Sequence, residues 1–521
     1  MAGALPLLAF PPAGLSYIAW FALVPGMLLI HRAPSAREAG IRGWWLGFGY
    51  FAAAEYWLAP EIGPAVILVA VVFGLLLRPF GIMIWTLLRP PVSVLRALVA
   101  LAVGPSYWLV TEWLRSWQAL GGPWAVLGAS QWQHPAVLAL ASVGGVWLVS
   151  FAIVAVNVAI LIAIVSGRLV SRLVAAAAAA VVLVAGPVAF ALTSPAPTAG
   201  ATAIALVQQG VVSNPVLRVD ASQRLTAGLS HRIGPGPGGR LSRARPDLIV
   251  WGESSVAFHL EADRALLRSI EKLSVANGAQ ILVNQDSRAH GKQSKVAVLV
   301  GPTGIAGTYT KTRLVPFGEY IPFRAALSWL TKISKAASVN MVPGDGARTL
   351  RVTEPGGRAL TIGPLICFES AFPDMSRVDT DHGAQVIVYQ TADSTFQGTG
   401  AQAQHASLGA LRAAETGRPV VQAALTGDSA AFDARGRQVA WMGETQSGVT
   451  TVRLALPVTS SRTLYDRLGD FVPWSAVGIA GVFALAGLAG WIRRRRSGGK
   501  GGYAGGDGAQ YDAGTGLHVP G

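Results

Sequence analysis

Residues Thr361–Ser370 have the sequence TIGPLICFES and contain Cys367, the single cysteine of this 521-residue chain. The apolar run from Ile362 to Ile366 predicts a buried strand that ends at the cysteine, and Glu369 follows two residues later. Reactive side chains are commonly presented at the ends of strands in α/β sheets. A lone cysteine forms no intrachain disulfide and cannot complete a multi-thiolate metal site. The stretch therefore predicts an α/β fold with a reactive cysteine at one sheet edge. A small buried hydrophobe is the alternative for Cys367.

The surrounding region, residues 201–456, has the alternating pattern of an α/β domain. Apolar runs rich in β-branched residues predict strands at 202–208, 247–251, 280–284, 295–300, 305–310, 360–366, 385–390, 420–425 and 449–454. Helical periodicity is present at 221–233, 261–276 and 402–415. A region of this length can bury one substantial α/β core.

The rest of the chain has the composition of a membrane protein. Hydrophobic residues make up 52% of the sequence and charged residues only 13%, whereas about a quarter of a soluble protein is charged. Apolar stretches lie at 15–30, 43–58, 64–88, 97–114, 135–165, 169–192 and 473–492, and a shorter one at 1–10. Most of the longer stretches reach the ~20 residues that a membrane helix requires. We expect an α-helical bundle of about seven to eight spans.

Basic residues orient this bundle. When segment 1–10 is counted, the basic loops fall on one side and contain Arg32, Arg37, Arg42, Arg89, Arg96, Arg168, Arg172 and Arg493–Arg496. The positive-inside rule makes that side cytoplasmic and puts the α/β region outside the cytoplasm. Topology then explains much of the net charge of +15, so no nucleic-acid partner is implied. Arg78 lies inside an apolar stretch, which predicts either a break at Arg78-Pro79 or an arginine that faces the bundle interior.

These patterns divide the chain into four parts. Residues 1–193 are predicted to form membrane helices, 194–472 an extracytoplasmic α/β domain, and 473–492 a last membrane helix. Residues 493–521 form a basic tail that is rich in glycine and poor in apolar residues, so we expect it to be disordered in the cytoplasm.

Chemistry-bearing residues follow three of the predicted strands. Glu253 follows 247–251, Lys311 follows 305–310 with Glu319 in the next loop, and Cys367 ends the third strand. An acid, a lysine and a cysteine at the ends of separate strands can converge on one rim of a sheet. Together they would supply a base, a cation for an oxyanion and a nucleophile.

The order of these residues resembles the nitrilase (carbon–nitrogen hydrolase) superfamily. The membrane segments narrow the resemblance to the apolipoprotein N-acyltransferase family. It is carried by Leu8-Ala-Phe-Pro-Pro12, Gly122-Pro-Trp124, Leu314-Val-Pro-Phe-Gly-Glu-Tyr-Ile-Pro322 and Arg412-Ala-Ala-Glu-Thr-Gly-Arg-Pro419. The resemblance implies an αββα nitrilase-like sandwich with Glu253, Lys311 and Cys367 as the catalytic triad. It also implies Glu319 as an essential supporting acid.

The activity implied by the resemblance is a ping-pong acyl transfer in a bacterial cell membrane. Cys367 would take an acyl chain from a phospholipid as a thioester, with Glu253 as the base. Lys311 and the backbone N–H of Phe368 would face the oxyanion. The acceptor would be the N-terminal amine of a diacylglyceryl-modified apolipoprotein. No cofactor and no metal are expected, since the sequence contains neither HExxH nor CxxC.

Each of these residues also has a plainer interpretation. Glu253 could cap a turn, Lys311 could be a solvated charge, and Glu319 could be a structural ion-pair partner. Glu369 could act directly or simply brace the turn after the cysteine. His405 could form a Cys–His dyad or be a histidine with its hydrogen bonds satisfied elsewhere.

Further alternatives concern whole segments. Residues 320–342 have helix-like apolar spacing, which predicts an amphipathic arm on the lipid surface or a helix packed on the domain core. For Glu55, Glu112 and Arg115, we expect pairing within the bundle. The rival functions are a membrane-tethered amidase with water as the acceptor and a transporter with an accessory domain.

Overall fold

The structure, a computed structural model, describes residues 1–193, 195–211, 214–230, 245–256, 259–289, 292–327, 340–354 and 356–498. Residues 328–339 of the predicted arm and the tail beyond residue 498 lie outside these ranges. Helices form the first part of the described chain, an α/β domain follows, and a long helix ends it.

Five helices of the described residues are long and apolar enough to cross a membrane. They are Ala65–Leu88, Val94–Arg115, Ala141–Val165, Leu169–Leu192 and Phe471–Arg493. The shorter apolar helix Ser16–His31, the α-helix Ala36–Ala54 and the 3₁₀-helix Ala2–Ala9 belong to the same half of the protein. Several helices that could cross a membrane are therefore present among the described residues, and the count of seven to eight spans stays a prediction.

Buried ionisable groups of the helical half are paired or hydrogen-bonded within the bundle, as the sequence predicts. Arg115 and Glu55 form a buried ion pair at 3.1 Å, and Glu112 accepts hydrogen bonds from Trp108 Nε1 and the backbone N–H of Leu127. This confirms the expected pairing within the bundle. A 3₁₀ turn, Leu75–Leu77, lies within the helix Ala65–Leu88, which continues through Arg78-Pro79. The side chain of Arg78 is exposed, so it does not face the bundle interior.

The α/β domain contains two six-stranded sheets. The strands are β1 (Thr198–Gln208), β2 (Leu248–Trp251), β3 (Gln280–Ala289), β4 (Lys292–Gly301), β5 (Gly304–Thr310), β6 (Leu350–Thr353), β7 (Ala359–Ile366), β8 (Val386–Thr391), β9 (Val420–Ala424), β10 (Ser429–Phe432), β11 (Gln438–Met442) and β12 (Gly448–Pro457). One sheet has the order β12-β1-β2-β3-β4-β5 and the other β11-β10-β9-β8-β7-β6. Strands β1, β2 and β3 are parallel neighbours, and so are β7, β8 and β9.

Side chains that alternate along the strands build the layers. In β1, Ile204 and Leu206 belong to the core between the sheets, whereas Ala205 and Val207 face the outer helices. Helices Pro215–Ser230 and Arg264–Asn277 cover the first sheet. Helices Pro373–Asp381 and Ala401–Thr416 cover the second. The domain is therefore an αββα sandwich with mixed sheets.

Helix Ala401–Thr416 joins the two halves. It packs on the membrane helix Ala141–Val165, and all but one of its sixteen residues are buried. Its Glu415 forms an ion pair with Arg412 at 3.1 Å and accepts a 2.7 Å hydrogen bond from the backbone N–H of Val146. A single apolar core continues from the helical half into the sandwich. Packing, rather than a linker, therefore fixes the domain on the membrane half.

Candidate active site

The three predicted triad residues meet at one rim of the sandwich. Glu253 follows β2, Lys311 follows β5 and Cys367 follows β7, and β2 and β5 run in the same direction within their sheet. Lys311 Nζ lies 3.6 Å from Glu253 Oε1, and the Cys367 thiol faces the Glu253 carboxylate. A carboxylate, an ammonium group and a thiol are therefore gathered at one rim.

Close approach of the two sheets brings Glu253 to the cysteine. A Cβ atom at Gly252 would lie 2.1 Å from the backbone nitrogen of Leu425, which no side chain allows. Directly beside it, the backbone N–H of Glu253 donates a 3.1 Å hydrogen bond to the carbonyl of Thr391 in the opposite sheet. Glycine at position 252 therefore permits the contact that carries the acid across the sandwich.

Lys311 is fully buried and paired twice. Its Nζ lies 2.8 Å from Glu319 Oε1, and the other oxygen of Glu319 accepts a 2.9 Å hydrogen bond from the backbone N–H of Val315. Burial alone would lower the pKa of Lys311, but Glu319 and Glu253 outweigh it and raise the pKa above its ordinary value. The side chain is therefore a fixed ammonium group at neutral pH.

Lys295 is a second lysine of the site, which sequence reasoning missed. Its Nζ lies 3.4 Å from Glu253 Oε1, 3.0 Å from Asp286 Oδ1 and 2.6 Å from Ser254 Oγ. The signal was present in the predicted strands, because 295–300 and 305–310 form an antiparallel pair that opposes Lys295 to Lys311. Pairing these two predicted strands as a hairpin would have placed both lysines at the same rim.

The charges leave a protonated thiol against an ionised carboxylate. Burial raises the pKa of Glu253, but Lys295, Lys311 and the thiol hydrogen bond outweigh burial and hold it below the ordinary value. The pKa of Cys367 is well above its ordinary value, because its surroundings exclude water and Glu253 is negative, with Lys311 opposing. Cys367 nevertheless remains partly accessible at the rim. The site thus holds a protonated thiol beside an ionised carboxylate.

Glu369 lies behind the nucleophile and braces it. One of its carboxylate oxygens accepts hydrogen bonds from Tyr309 Oη at 2.8 Å and from the backbone N–H groups of Thr312 and Arg313 at 2.7 and 3.0 Å. The other oxygen accepts a 2.7 Å hydrogen bond from the backbone N–H of Ile366. The side chain therefore ties the turn after β7 to the loop after β5. Of the two sequence interpretations, this geometry matches the brace.

The backbone at the nucleophile is in the left-handed region. Cys367 has φ +51° and begins the 3₁₀-helix Cys367–Ala371. The N–H of Phe368 is in the first turn of that helix, where backbone donors have no helical acceptor. The ring of Phe368 packs edge-on against the ring of Phe372, with 4.9 Å between the centroids, and lies close to Gly122 of the helical half. A free backbone donor and an aromatic wall therefore flank the thiol.

His405 also reaches the nucleophile, by its backbone. His405 Nε2 lies 3.1 Å from the carbonyl oxygen of Cys367, and Nδ1 lies 2.9 Å from Asp393 Oδ1. The histidine is thus hydrogen-bonded on both nitrogens and does not use either for a direct Cys–His dyad. Asp393 was not among the sequence candidates, since a lone aspartate in a loop carries no signal. A carboxylate oxygen of Asp393, a ring nitrogen of His405 and the sulfur of Cys367 lie within 4.8 Å of one another. Zinc sites in proteins use ligand atoms of these three types.

Comparisons with known proteins agree with this arrangement. The carbon-nitrogen hydrolase family model matches residues 239–462, and the model for the apolipoprotein N-acyltransferase N-terminal domain matches residues 2–159. The fold and the site thus define a carbon-nitrogen hydrolase domain, carried by a helical membrane half. An apolipoprotein N-acyltransferase of Sinorhizobium fredii is 32% identical over 510 residues, covering 90% of this chain and 92% of that protein. The chain belongs to the apolipoprotein N-acyltransferase family.

Two further similarities were found. An apolipoprotein N-acyltransferase of Geobacter metallireducens is 29% identical over 516 residues and covers 93% of this chain and 94% of that protein. Among solved structures, a carbon-nitrogen hydrolase from Helicobacter pylori G27 has 15% identity and a TM-score of 0.38, covering 49% of this chain and 89% of that one.

Proposed function

We propose that this protein transfers an acyl chain from a membrane phospholipid to the N-terminal amine of diacylglyceryl-cysteine in apolipoproteins, by a thioester on Cys367. The observation that carries the proposal is the contact of the Cys367 thiol with Glu253, beside Lys311, in a chain of this family. The relatives' name supports lipoprotein N-acylation. The thioester is inferred from the chemistry of the site, and the phospholipid donor from the family resemblance together with the apolar helices.

In the first half-reaction, Glu253 takes the proton of the thiol as sulfur attacks the ester carbonyl of the phospholipid. The high pKa of the thiol and the low pKa of the carboxylate mean that this proton moves only as the carbon–sulfur bond forms. The ester C–O bond then breaks, and Glu253 returns the proton to the leaving oxygen. Lysophospholipid departs, and the acyl chain remains on Cys367.

In the second half-reaction, the amine of diacylglyceryl-cysteine attacks the thioester. Glu253 accepts a proton from the amine, the carbon–sulfur bond breaks, and the thiolate regains its proton. The product is an amide, and one nucleophile has divided a difficult transfer into two steps. The sequence is therefore ping-pong.

Both half-reactions pass through a tetrahedral oxyanion. Lys311 and the backbone N–H of Phe368 are the proposed donors to it, and removal of one such donor typically costs about 10²–10³ in rate. Glu319 keeps Lys311 charged and oriented by its 2.8 Å contact. Glu369 positions both the nucleophile's turn and the loop that follows β5, without contacting the substrate.

In this scheme the helical half helps to exclude water from the site. Thioester hydrolysis is favourable, so the site must exclude water while two lipids bind in turn. We propose a bacterial cell-membrane enzyme with about seven to eight spans, whose residues 194–472 lie outside the cytoplasm. Residues 493–521 would then be cytoplasmic.

The test uses purified protein in detergent with a phospholipid of defined acyl chains and intact-mass spectrometry. The wild type should gain the mass of one acyl chain, hydroxylamine should remove it, and Cys367→Ala should gain nothing. A diacylglyceryl-cysteine peptide added afterwards should take the acyl chain from the protein. A mock peptide without the free amine serves as the control.

Other outcomes would replace the proposal. Release of ammonia from small amides, without an acyl adduct, would assign the site to a membrane-tethered amidase. An adduct that water removes as fast as the peptide does would contradict the transfer step. If neither an acyl adduct nor ammonia is formed, the function would be assigned to the helical half.

A further inference from the structure

A buried histidine outside the proposed triad lies between two groups that can only accept hydrogen bonds. His405 Nδ1 lies 2.9 and 3.2 Å from the two carboxylate oxygens of Asp393, and Nε2 lies 3.1 Å from the carbonyl oxygen of Cys367. A neutral imidazole has one donor nitrogen and one acceptor nitrogen. Since both partners need a donor, the arrangement requires the doubly protonated imidazolium form.

The surroundings hold this ring in place from several sides. His405 lies on the buried helix Ala401–Thr416, and the indole ring of Trp124 from the helical half packs against it at 5.8 Å. Thr391 Oγ1 lies 3.3 Å from His405 Nδ1 and donates to Asp393 Oδ1 at the same distance. The backbone N–H of Asp393 is bonded to the carbonyl of Thr426. The ring and its carboxylate partner are therefore fixed before any substrate arrives.

The ionised pair is also electrostatically consistent. Burial lowers the pKa of His405, but the Asp393 carboxylate and the Cys367 carbonyl outweigh it, and Glu253 adds a smaller contribution, so the pKa is raised. The charged groups that act on the Cys367 thiol are Glu253, Asp393 and Glu319 as anions, which raise its pKa, and Lys311 as a cation, which lowers it. The imidazolium adds a further positive charge near the sulfur.

Two consequences for the nucleophile follow. A non-glycine residue in the left-handed region is strained and persists only where its surroundings enforce that geometry. The His405 hydrogen bond holds the carbonyl of Cys367 in it. The ring also lies within 4.8 Å of the sulfur, where a cation favours the thiolate over the thiol.

We propose that the His405–Asp393 ion pair positions Cys367, by clamping its left-handed backbone and by stabilising negative charge on its sulfur. His405 is a positioning residue, since it acts through the nucleophile and contacts no substrate. The inference rests on the proposed function, because it takes Cys367 to be the nucleophile. It differs from a zinc site, because both ring nitrogens are already occupied by hydrogen bonds.

The single cysteine of the chain makes a direct test possible. Iodoacetamide alkylation followed by intact-mass spectrometry reports on Cys367 alone, because no other thiol is present. The rate is measured from pH 6 to pH 10 on the full-length protein in detergent, for wild type, His405→Gln, His405→Ala and Asp393→Asn. His382→Gln is the matched control, because His382 is exposed and its Nδ1 faces the carbonyl of Val378.

The expected result has three parts. Both His405 variants alkylate about tenfold more slowly at neutral pH, because a pKa rise of one unit lowers the thiolate fraction tenfold. The rate–pH profile of these variants shifts to higher pH, while His382→Gln follows the wild type. Asp393→Asn removes an anion that raises the pKa of Cys367, so this variant alkylates at least as fast as the wild type while His405 keeps its proton. It slows where the unpaired histidine loses that proton, which adds a step to its profile. His405→Gln with Asp393→Asn loses no more than His405→Gln alone.

An unchanged alkylation profile in folded His405→Gln would overturn the proposal and leave His405 as an ordinary buried side chain. Thermal unfolding of each variant identifies those that fail to fold, and Asp393→Asn then carries the test, since it retains the side-chain volume. This measurement needs no acyl transfer. A wild type that forms no acyl adduct would therefore overturn the proposed function while leaving the alkylation result interpretable.

Discussion

The backbone N–H of Lys311 donates a 2.9 Å hydrogen bond to the backbone carbonyl of Lys295, so the two lysines lie side by side on antiparallel strands. Both ammonium groups reach Glu253 Oε1, at 3.6 and 3.4 Å. They differ in their other partners, since Lys311 is bound to Glu319 and Lys295 to Asp286. The proposed base is therefore kept ionised by two cations, of which Lys311 is the proposed donor to the oxyanion.

The first prediction separates these two roles. Lys295→Met removes one of the two charges that hold the pKa of Glu253 below its ordinary value, so that pKa rises. Since Glu253 must be ionised to take the thiol proton, the acid limb of thioester formation should move to higher pH. The rate on the alkaline plateau should change by less than about tenfold. Pre-steady-state acyl-adduct formation between pH 4 and pH 8 measures both.

Two comparisons complete this prediction. Lys292→Met, an exposed lysine on the same strand, should leave the acid limb in place. Lys311→Met should lower the plateau by about 10²–10³ as well as shifting the limb. An acid limb that stays in place in Lys295→Met would show that Lys311 alone sets the pKa of Glu253.

The second prediction concerns the brace behind the nucleophile. Glu369→Gln replaces a carboxylate oxygen by an amide NH₂, which would face one of the backbone or hydroxyl donors now bound to Glu369. A donor facing a donor in a buried site should lower the free energy of unfolding by about 2 kcal/mol. Cys367 alkylation should lose its single-exponential time course as the turn loosens. Exposed Glu261→Gln is the control and should change neither. Unchanged stability would contradict the bracing role.

Much of this site was accessible from the sequence. The runs that end at Glu253, Lys311 and Cys367 were predicted as strands, because buried strands of a sandwich are continuous apolar segments. Nine of the twelve strands that the described residues form were predicted in this way. The three missed ones are β6, β10 and β11. β6 is only four residues long, and β10 is equally short and rich in alanine, so neither has a strong strand pattern.

The remainder depends on contacts between distant segments. Lys295 becomes a site residue only through its pairing with the strand that ends at Lys311. Asp393 and His405 come together through a loop and a helix, and the sequence alone gives neither partner. The left-handed backbone at Cys367 likewise follows from tertiary contacts, since a cysteine does not favour that geometry by itself.

The third prediction tests the buried ion pair of the helical half. Arg115→Met leaves Glu55 without its partner in a buried position and removes the guanidinium contacts to the carbonyls of Gly122 and Trp124. Removal of one member of a buried pair typically costs about 3–5 kcal/mol. A marked fall in thermal stability in detergent is therefore expected. It should be accompanied by a loss of activity, because Trp124 packs on the helix of the α/β domain.

The same pair offers its own control. Arg115→Met combined with Glu55→Gln removes both charges, and should recover part of the stability lost in the single variant. A double variant as unstable as the single one would show that the loop contacts of Arg115, rather than the ion pair, carry its contribution.

The fourth prediction concerns Glu319, which contacts Lys311 and no other residue of the proposed triad. Glu319→Gln weakens the 2.8 Å contact and lowers the raised pKa of Lys311, so the ammonium group loses both orientation and charge stabilisation. Thioester formation should slow by about 10²-fold or more, as for loss of one oxyanion donor. If Glu319 acts only through Lys311, then Lys311→Met combined with Glu319→Gln should be no slower than Lys311→Met alone. An additional loss in that double variant would mean that Glu319 also serves the loop at Val315, whose backbone N–H it accepts.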